Sequence, residues 1–211
     1  MRLFSYKMTN DSGFAPNPFF GVLTMATCKP GMRKSKRQGD SIAGFTSKEL
    51  CGDEIGEERL VFLMQVTDKI PMSSYYSHPK FQNKIPDLGH SQIVYKAGDN
   101  IYKPVDGEFI QLENKNHASK HQQRDLSGEF VLVSDRFYYF GGRPLAFGNG
   151  PEQIPRAMRP KVPVSQTHYG VLTHDIERAE QFVNFVTEKF SIGVHNAPHF
   201  WSSNDVSWEA L

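Results

Sequence analysis

The chain has 211 residues, which suffices for one domain with elaborations, and we expect a single domain over residues 1–211. Apolar residues make up 38% and aromatic residues 12%, so the core has to draw on phenylalanine and tyrosine. The formal net charge of +1 excludes a global electrostatic argument for a nucleic-acid or membrane partner.

The N-terminus resembles no signal peptide, and no apolar run is long enough to span a bilayer. We therefore expect a cytoplasmic protein with no membrane partner. Cys28 and Cys51 form neither a metal-binding pattern nor a disulfide framework, and neither lies in a recognisable nucleophile signature.

Apolar and β-branched runs bounded by turn residues predict the strands. In chain order these are residues 2 to 8, Val22 to Thr27, Gly39 to Phe45, Arg59 to Thr67, Glu129 to Asp135 and Phe137 to Phe140. The run from Arg59 to Thr67 is the most apolar, and we expect a buried central strand there. Its predicted role is to hold the loops at 11–19, 29–40 and 98–102, where we expect the functional site.

One amphipathic helix is predicted at 176–190, since its apolar residues recur at helical spacing after a potential N-cap at Asp175. The polar segment 108–127 is predicted to be a mobile loop or insertion. Five prolines predict that residues 143–170 form surface coil. The predicted fold class is α+β, with a curved, mostly antiparallel sheet or barrel, one amphipathic C-terminal helix and several ordered loops.

Two segments carry patterns with more than one interpretation. Residues 13–21 form an apolar but irregular loop that contains Phe14 and Asn17, and it either lines a cavity or plugs the core. Residues 32–38 hold the densest basic run, including Arg33, which is either a solvated face or a phosphate-contacting patch.

Catalytic and metal motifs are weak. Asp11 and Asp99 lie in turns, where a carboxylate either caps the turn or performs acid–base chemistry. His117/His121 and His195/His199 have the spacing of a metal-binding pair on a helix, but neither pair has the neighbouring Glu of a metalloprotease. We therefore expect no metal site, and no pattern indicates a cofactor.

Several strings nevertheless resemble one family. They are Asp11-Ser12-Gly13-Phe14-Ala15-Pro16-Asn17-Pro18-Phe19, Ala26-Thr27-Cys28-Lys29-Pro30, Gly39-Asp40-Ser41-Ile42-Ala43-Gly44, Gly98-Asp99-Asn100-Ile101-Tyr102 and Phe137-Tyr138-Tyr139-Phe140-Gly141. Over most of its length the chain resembles the nucleotide modification associated domain 2 family of bacteria and their viruses. One departure is Ser41, where a Trp is expected. The resemblance implies a context of DNA base or nucleotide modification and hands over no catalytic residue.

A second similarity is one of layout. The basic segment, the apolar strand and the proline-bearing loop follow one another as in PUA-like barrels, including the EVE and ASCH groups, which bind RNA or modified bases. The expected fold is then a PUA-like β-barrel.

Aromatic and amide side chains of the kind that bind bases define the expected site. We expect recognition or processing of a modified nucleotide or DNA base, with DNA favoured as the nucleic-acid partner. In this hypothesis Phe14 and Tyr102 stack on the base, Asn17, Asp99 and Asn100 bind its edge, and Lys29 and Arg33 contact phosphates. One alternative is a transferase or glycosidase-like enzyme that uses Asp11 or Asp99. Another is a structural or partner-binding protein without a small-ligand site.

Overall fold

The structure is a computed structural model that describes residues 2–165, 169–170 and 175–202, with the backbone alone at 169–170. Its strands are β1 (Leu3–Lys7), β2 (Leu23–Met25), β3 (Ser41–Phe45), β4 (Leu60–Gln65), β5 (Asp68–Pro71), β6 (Tyr102–Val105), β7 (Glu108–Gln111), β8 (Phe130–Ser134), β9 (Arg136–Tyr139), β10 (Phe147–Gly148), β11 (Ile154–Pro155), β12 (Tyr169–Gly170) and β13 (Gly193–Val194). Its α-helices are α1 (Pro30–Ser35), α2 (Lys48–Cys51), α3 (Met72–Tyr75), α4 (Ile93–Lys96), α5 (Gln122–Leu126) and α6 (Ile176–Lys189). Short 3-10 helices lie at Pro79–Lys84, Ser119–His121 and Arg156–Met158.

The chain folds into two compact units that alternate along the sequence. The first unit comprises Met1–Asp11, Gly39–Val66 and Arg136–His199. The second comprises Ser12–Gln38, Thr67–Asp135 and Phe200–Leu211. No helix in the described ranges has the length and apolar character needed to cross a membrane.

The first unit contains a mixed sheet with the strand order β12-β1-β3-β4-β9-β13. β4 pairs antiparallel with β3 on one side and with β9 on the other, so the strand predicted at 59–67 is indeed central. All its residues except Gln65 are buried. Helix α6, where the apolar spacing predicted a helix, adds Ala179, Phe182 and Val186 to the core of this unit.

The second unit contains the antiparallel sheet β2-β8-β5 and the hairpin β6–β7. Its core is rich in aromatic rings, among them Phe14, Tyr75, Phe81 and Tyr102. The loop residues 12–19, 29–38 and 98–102 belong to this unit, whereas β4 belongs to the first. The loops that we expected β4 to hold are therefore organised around a different sheet.

Other expectations need correction. Antiparallel pairing predominates, as predicted, but no sheet of the described residues closes on itself, so the PUA-like barrel is not confirmed. Segment 108–127, predicted as a loop or insertion, contains β7, a 3-10 turn and α5. Segment 143–170, predicted as coil, is interrupted by the parallel pair β10–β11 and a 3-10 helix.

Candidate active site

Asp99 lies in a buried polar network of the second unit. Its carboxylate accepts hydrogen bonds from the hydroxyls of Thr24 (2.7 Å) and Tyr75 (2.8 Å). Burial raises the pKa of Asp99, and the positive charge of Lys84 opposes this shift. The Asp99 side chain is thus held by three surrounding segments of the unit.

Lys84 belongs to the same network and contacts the loop at 13–21. Its ammonium donates to the backbone oxygen (3.1 Å) and Oδ1 (2.7 Å) of Asn17 and to the carbonyl oxygen of Val22 (3.0 Å). Complete burial lowers the pKa of Lys84 to about 7. The three acceptors compensate for the loss of water around the amine and fix the loop.

The side chains of Asn17 and Asn100 also form hydrogen bonds inside the second unit. Asn17 Nδ2 donates to the Ala97 carbonyl (2.9 Å), and Asn100 Nδ2 donates to the carbonyls of Tyr75 (3.3 Å) and Phe81 (3.2 Å). Asn17, Asp99 and Asn100 are each at most 1% exposed. The structure therefore brings these three sequence-predicted residues together as framework of the unit, and their binding of a base edge stays a prediction.

Arg33 is completely buried and joins three segments of the second unit. Its guanidinium donates to the carbonyls of Cys28 (2.9 Å), Phe130 (2.7 Å) and Asp125. Gly128 leaves space for this group, because a Cβ there would lie 2.6 Å from Arg33 Cζ. The side chain that the sequence assigns to phosphate contacts thus serves as an internal clamp.

Phe14, Tyr102 and Lys29 belong to the same unit as Arg33. Phe14 and Tyr102 are each 2% exposed, whereas Lys29 is half-buried. The Phe14 ring packs on the His117 ring with 5.1 Å between centroids. The stacking of Phe14 and Tyr102 on a base therefore requires displacement of existing contacts, and it stays a prediction.

Asp11, the other candidate catalytic carboxylate, belongs to the first unit. It accepts hydrogen bonds from the hydroxyl of Tyr139 and from the backbone N–H of His199 (2.9 Å). It is 2% exposed. Asp11 and Asp99 therefore lie in different units, each with its own set of hydrogen-bond donors.

Sequence reasoning did not anticipate a cluster in the second unit that combines a thiol, an imidazole and a carboxylate. Cys28 Sγ lies 3.2 Å from His117 Nε2. On the other side of the ring, His117 Nδ1 lies 3.1 Å from Asp125 Oδ2. This distance is short enough for an ion pair, but the two atoms do not have hydrogen-bond geometry. The order thiol, imidazole, carboxylate is that of the nucleophile, base and orienting acid in covalent catalysis.

The carboxylate of Asp125 is fixed by further donors. Its Oδ1 accepts a hydrogen bond from the backbone N–H of Cys28 (2.9 Å), and its Oδ2 accepts one from the Tyr102 hydroxyl (3.0 Å). The Asp125 side chain is 1% exposed and that of His117 is 11% exposed. Asp125 therefore positions both the imidazole and the backbone that carries the thiol.

Local backbone geometry presents the thiol. Cys28 and Lys29 have left-handed φ angles of 55° and 41°, and α1 begins at Pro30 directly after them. Such conformations cost about 1 kcal/mol or more for residues with a Cβ, and they concentrate at functional sites. The Arg33 bond to the Cys28 carbonyl and the Asp125 bond to its N–H hold the strained turn from both sides.

The protonation states of the cluster follow from burial. Burial and the charge of Asp125 raise the pKa of the Cys28 thiol, while Arg124 and Arg33 act in the opposite direction. Burial also lowers the pKa of His117, partly offset by Asp125. Thiol and imidazole are therefore both uncharged at neutral pH, so Nε2 is able to take the thiol proton when attack occurs.

Buried polar atoms without a hydrogen bond concentrate around this cluster. In the described chain, three of the four such atoms are Thr27 Oγ1, Gln111 Oε1 and His117 Nδ1. Thr27 Oγ1 lies close to the Cys28 thiol outside hydrogen-bond geometry, and Gln111 is tied to the His117 carbonyl through its Nε2 (2.8 Å). Unsatisfied buried groups of this kind are typical of functional sites.

In the described ranges, no group of three or more His, Cys, Asp or Glu side chains is arranged so that it could hold a metal ion. The first unit has a cleft of about 240 Å³ lined by several charged side chains. These charges are paired internally, for example Glu58 with Lys7 (2.6 Å) and Arg59 with Asp53 (2.8 Å). We therefore centre the candidate site on Cys28.

The fold and the cluster together define an α+β protein with a thiol–imidazole–carboxylate centre. The chain belongs to the family of nucleotide modification associated domain 2, whose model matches residues 1–205. No curated protein and no solved structure matches the chain. The family ties the protein to nucleotide modification and leaves its activity open.

Proposed function

We propose that the protein is an enzyme of nucleotide modification in which the Cys28 thiol attacks a nucleotide or nucleic-acid base. The observation that carries the proposal is the 3.2 Å separation of Cys28 Sγ and His117 Nε2, with the Asp125 carboxylate on the far side of the ring. A nucleophile within hydrogen-bond reach of a base, itself oriented by a third group, is the arrangement that covalent catalysis requires. The family context supports a nucleotide or base as the substrate.

The attack is a proton-coupled step. The S–H bond breaks as its proton moves to His117 Nε2, and Sγ forms a bond to an electrophilic carbon of the substrate. The electron pair displaced from that carbon moves to the adjacent leaving or ring atom, which takes the proton back from His117. Water or a second substrate, deprotonated by the same imidazole, then replaces sulfur at the carbon and regenerates the thiol.

Asp125 favours the imidazole tautomer with its proton on Nδ1, which leaves the Nε2 lone pair free for the thiol. When Nε2 is protonated during attack, the carboxylate 3.1 Å from Nδ1 stabilises the imidazolium. Tyr102 and Arg33 hold Asp125 through its side chain and its carbonyl respectively. These two residues are positioning residues in this proposal.

This proposal assigns the chemistry differently from the two alternatives based on Asp99 and Asp11. In the described part of the chain, the Asp99 carboxylate accepts hydrogen bonds from the hydroxyls of Thr24 and Tyr75 and lies in the network with Lys84. Asp11 faces a phenol and a backbone amide. Cys28, by contrast, lies next to the His117 imidazole as a base, and the Asp125 carboxylate lies next to the other ring nitrogen.

The test is a turnover assay on a panel of nucleotides and of single-stranded oligonucleotides with modified bases, with product masses as the readout. Cys28→Ala and His117→Asn are expected to abolish product formation, whereas Cys51→Ala retains it. Binding of panel members that Cys28→Ala leaves intact, without turnover by any form, would identify a recognition protein instead. Full activity of Cys28→Ala would refute the nucleophile.

A further inference from the structure

We propose that Phe14 is a positioning residue of the Cys28 centre, whose ring holds the His117 imidazole in the orientation that directs Nε2 at the thiol. The inference rests on the proposed function, since it concerns the base that takes the proton from Cys28. It gives Phe14 a different role from the sequence expectation, in which this ring stacks on the substrate base. It also gives a role to the irregular apolar loop at 13–21, which carries Phe14.

The polar contacts of the His117 imidazole do not by themselves fix its orientation. Nδ1 lies 3.1 Å from Asp125 Oδ2 but forms no hydrogen bond with any described residue. Nε2 lies 3.2 Å from Cys28 Sγ, and a thiol is only a weak hydrogen-bond donor and acceptor. The orientation of the imidazole therefore depends on the groups that pack against its ring.

Two rings contact the His117 imidazole. The Phe14 ring lies 5.1 Å away between centroids, with 36° between the ring planes. The His121 ring lies 5.2 Å away, with 63° between the planes. Phe14 is 2% exposed and belongs to the hydrophobic core of the second unit, where close packing restricts its motion. His121 is only half-buried, so Phe14 is the fixed surface on which the imidazole packs.

Hydrogen bonds hold the backbone that carries the imidazole. The N–H of His117 donates to Asn114 Oδ1 (2.6 Å), and its carbonyl accepts a hydrogen bond from Gln111 Nε2 (2.8 Å). A further bond joins this segment to the one that carries Phe14, because Ser12 Oγ donates to Asn116 Oδ1 (2.9 Å). The two segments therefore meet at two points, one polar and one between rings.

The loop that carries Phe14 is anchored at Asn17, three residues further along the chain. Lys84 donates to the backbone oxygen and to Oδ1 of Asn17. The backbones of Asn17 and Thr24 exchange two hydrogen bonds of 2.9 Å. Phe14 therefore packs on the imidazole from a backbone that is fixed on its C-terminal side.

The test compares Phe14→Met with Phe81→Met. Both variants are made in Cys51→Ala protein, in which Cys28 is the remaining thiol. Phe81 is a matched control, because it is 1% exposed in the same core and its ring packs on that of Tyr75 (4.8 Å). Methionine fills a similar volume without a flat ring, so both variants should fold. We expect alkylation of Cys28 by iodoacetamide to slow about tenfold in Phe14→Met and less than about twofold in Phe81→Met.

Iodoacetamide carries no base, so a Phe14 ring that only stacks on a substrate base predicts no change in this rate. The second readout is the nitrogen NMR spectrum of the His117 imidazole, assigned with His117→Asn. It should show the single tautomer with the proton on Nδ1 in the parent protein and in Phe81→Met. In Phe14→Met the two nitrogen shifts should move towards each other, because a loosened ring exchanges between tautomers.

Equal alkylation rates in Phe14→Met and Phe81→Met would overturn the inference. Averaged nitrogen shifts in the parent protein would also overturn it, and this readout does not depend on the folding of either variant. Undiminished product formation by Phe14→Met refutes the positioning role while the nucleophile stands. Product formation by Cys28→Ala refutes the nucleophile, while the NMR comparison still decides whether Phe14 holds the imidazole.

Discussion

At the scale of single residues, burial shifts the pKa of Cys28 and the pKa of His117 in opposite directions. Burial disfavours the charged form of each group, so it raises the pKa of the thiol and lowers that of the imidazole. The pair is therefore neutral before attack, in contrast to thiols that are ionised by a protonated neighbour. In the proposed mechanism, proton transfer to Nε2 coincides with attack on the substrate.

The pKa of Cys28 gives a first prediction. Arg124 lowers and Asp125 raises the pKa of the thiol, so Arg124→Gln should move it up and Asp125→Asn should move it down. Thiolate absorbance during a pH titration, in the Cys51→Ala background, measures both. Equal titration curves for the three proteins would show that these charges do not act on the thiol.

Lys84 gives a second prediction, about stability. Its pKa is about 7 in the folded protein against 10.5 for the free side chain. Between these values the unfolded chain binds more protons, so the free energy of unfolding rises with pH in this window. Over about 1.5 pH units above neutrality the rise from Lys84 alone is at most about 2 kcal/mol.

Chemical unfolding of the wild type and Lys84→Met at neutral and mildly alkaline pH checks this sign. The rise with pH should be smaller in Lys84→Met, which lacks the titrating amine. Asp99 contributes in the opposite sense, because its raised pKa makes the free energy of unfolding fall as the pH rises from 3.8 through that pKa. An identical pH dependence of both proteins would contradict a depressed pKa of Lys84.

Gly98 gives a third prediction. A Cβ at this position would lie 2.2 Å from the Lys84 carbonyl oxygen, which is backbone and has little freedom to move. Gly98→Ala should therefore lower the free energy of unfolding by about 2 kcal/mol or more. Gly31→Ala is the matched control, since no atom lies within 4 Å of its Cβ position in α1, and it should be neutral or stabilising.

At the scale of elements, Arg33 connects α1 to α5 and β8. It donates in three directions to carbonyls of Cys28, Asp125 and Phe130, a pattern that a lysine ammonium does not reproduce. Arg33→Lys should cost about 2 kcal/mol or more of stability. Lys34→Ala on the same helix removes an exposed ion pair with Glu129 and should cost less than about 1 kcal/mol.

Hydrogen exchange is the corresponding local measurement. The N–H of Cys28 donates to Asp125 Oδ1, so loosening of the clamp should accelerate its exchange in Arg33→Lys and leave it unchanged in Lys34→Ala. Unaltered exchange of Cys28 in Arg33→Lys would show that the Arg33 contacts do not hold the turn.

The sequence predicts those elements whose residues have a clear apolar period. β4 is one such case, because its run of large apolar residues predicts a buried strand. α6 is another, because its apolar residues recur every 3.6 positions and predict a helix. The hairpin β6–β7 was missed although Asp106-Gly107 is a two-residue turn signal, with φ angles of 50° and 86°. The hairpin was missed because its strands are polar and only half-buried, so they show no clear apolar alternation. Helix α5 was missed because its five residues are too few to show an apolar period.

At the scale of the whole molecule, the candidate site depends on chain topology. Cys28 and His117 are 89 residues apart in sequence, and the patterns that contain them, a family string and a His-x-x-x-His spacing, do not pair the two residues. One of the family strings includes Cys28. The string at 98–102 has a structural role, since Gly98 allows close contact with the Lys84 backbone and Asp99 lies in the buried network with Lys84. Three of the five family strings, at 11–19, 26–30 and 98–102, lie wholly or mostly in the second unit, whereas the pairing of thiol and imidazole is visible only in the fold.

In the proposed mechanism, Cys28 is a nucleophile activated by His117. The most direct test is a nucleoside 5′-monophosphate that bears a chloroacetamide group on its base, with the labelled residue mapped by peptide mass spectrometry. We predict a label on Cys28 in preference to Cys51, a large reduction in His117→Asn, and a smaller change in His121→Asn, whose ring lies 5.2 Å from that of His117. A label confined to Cys51, or equal labelling of Cys28 in His117→Asn, would contradict it.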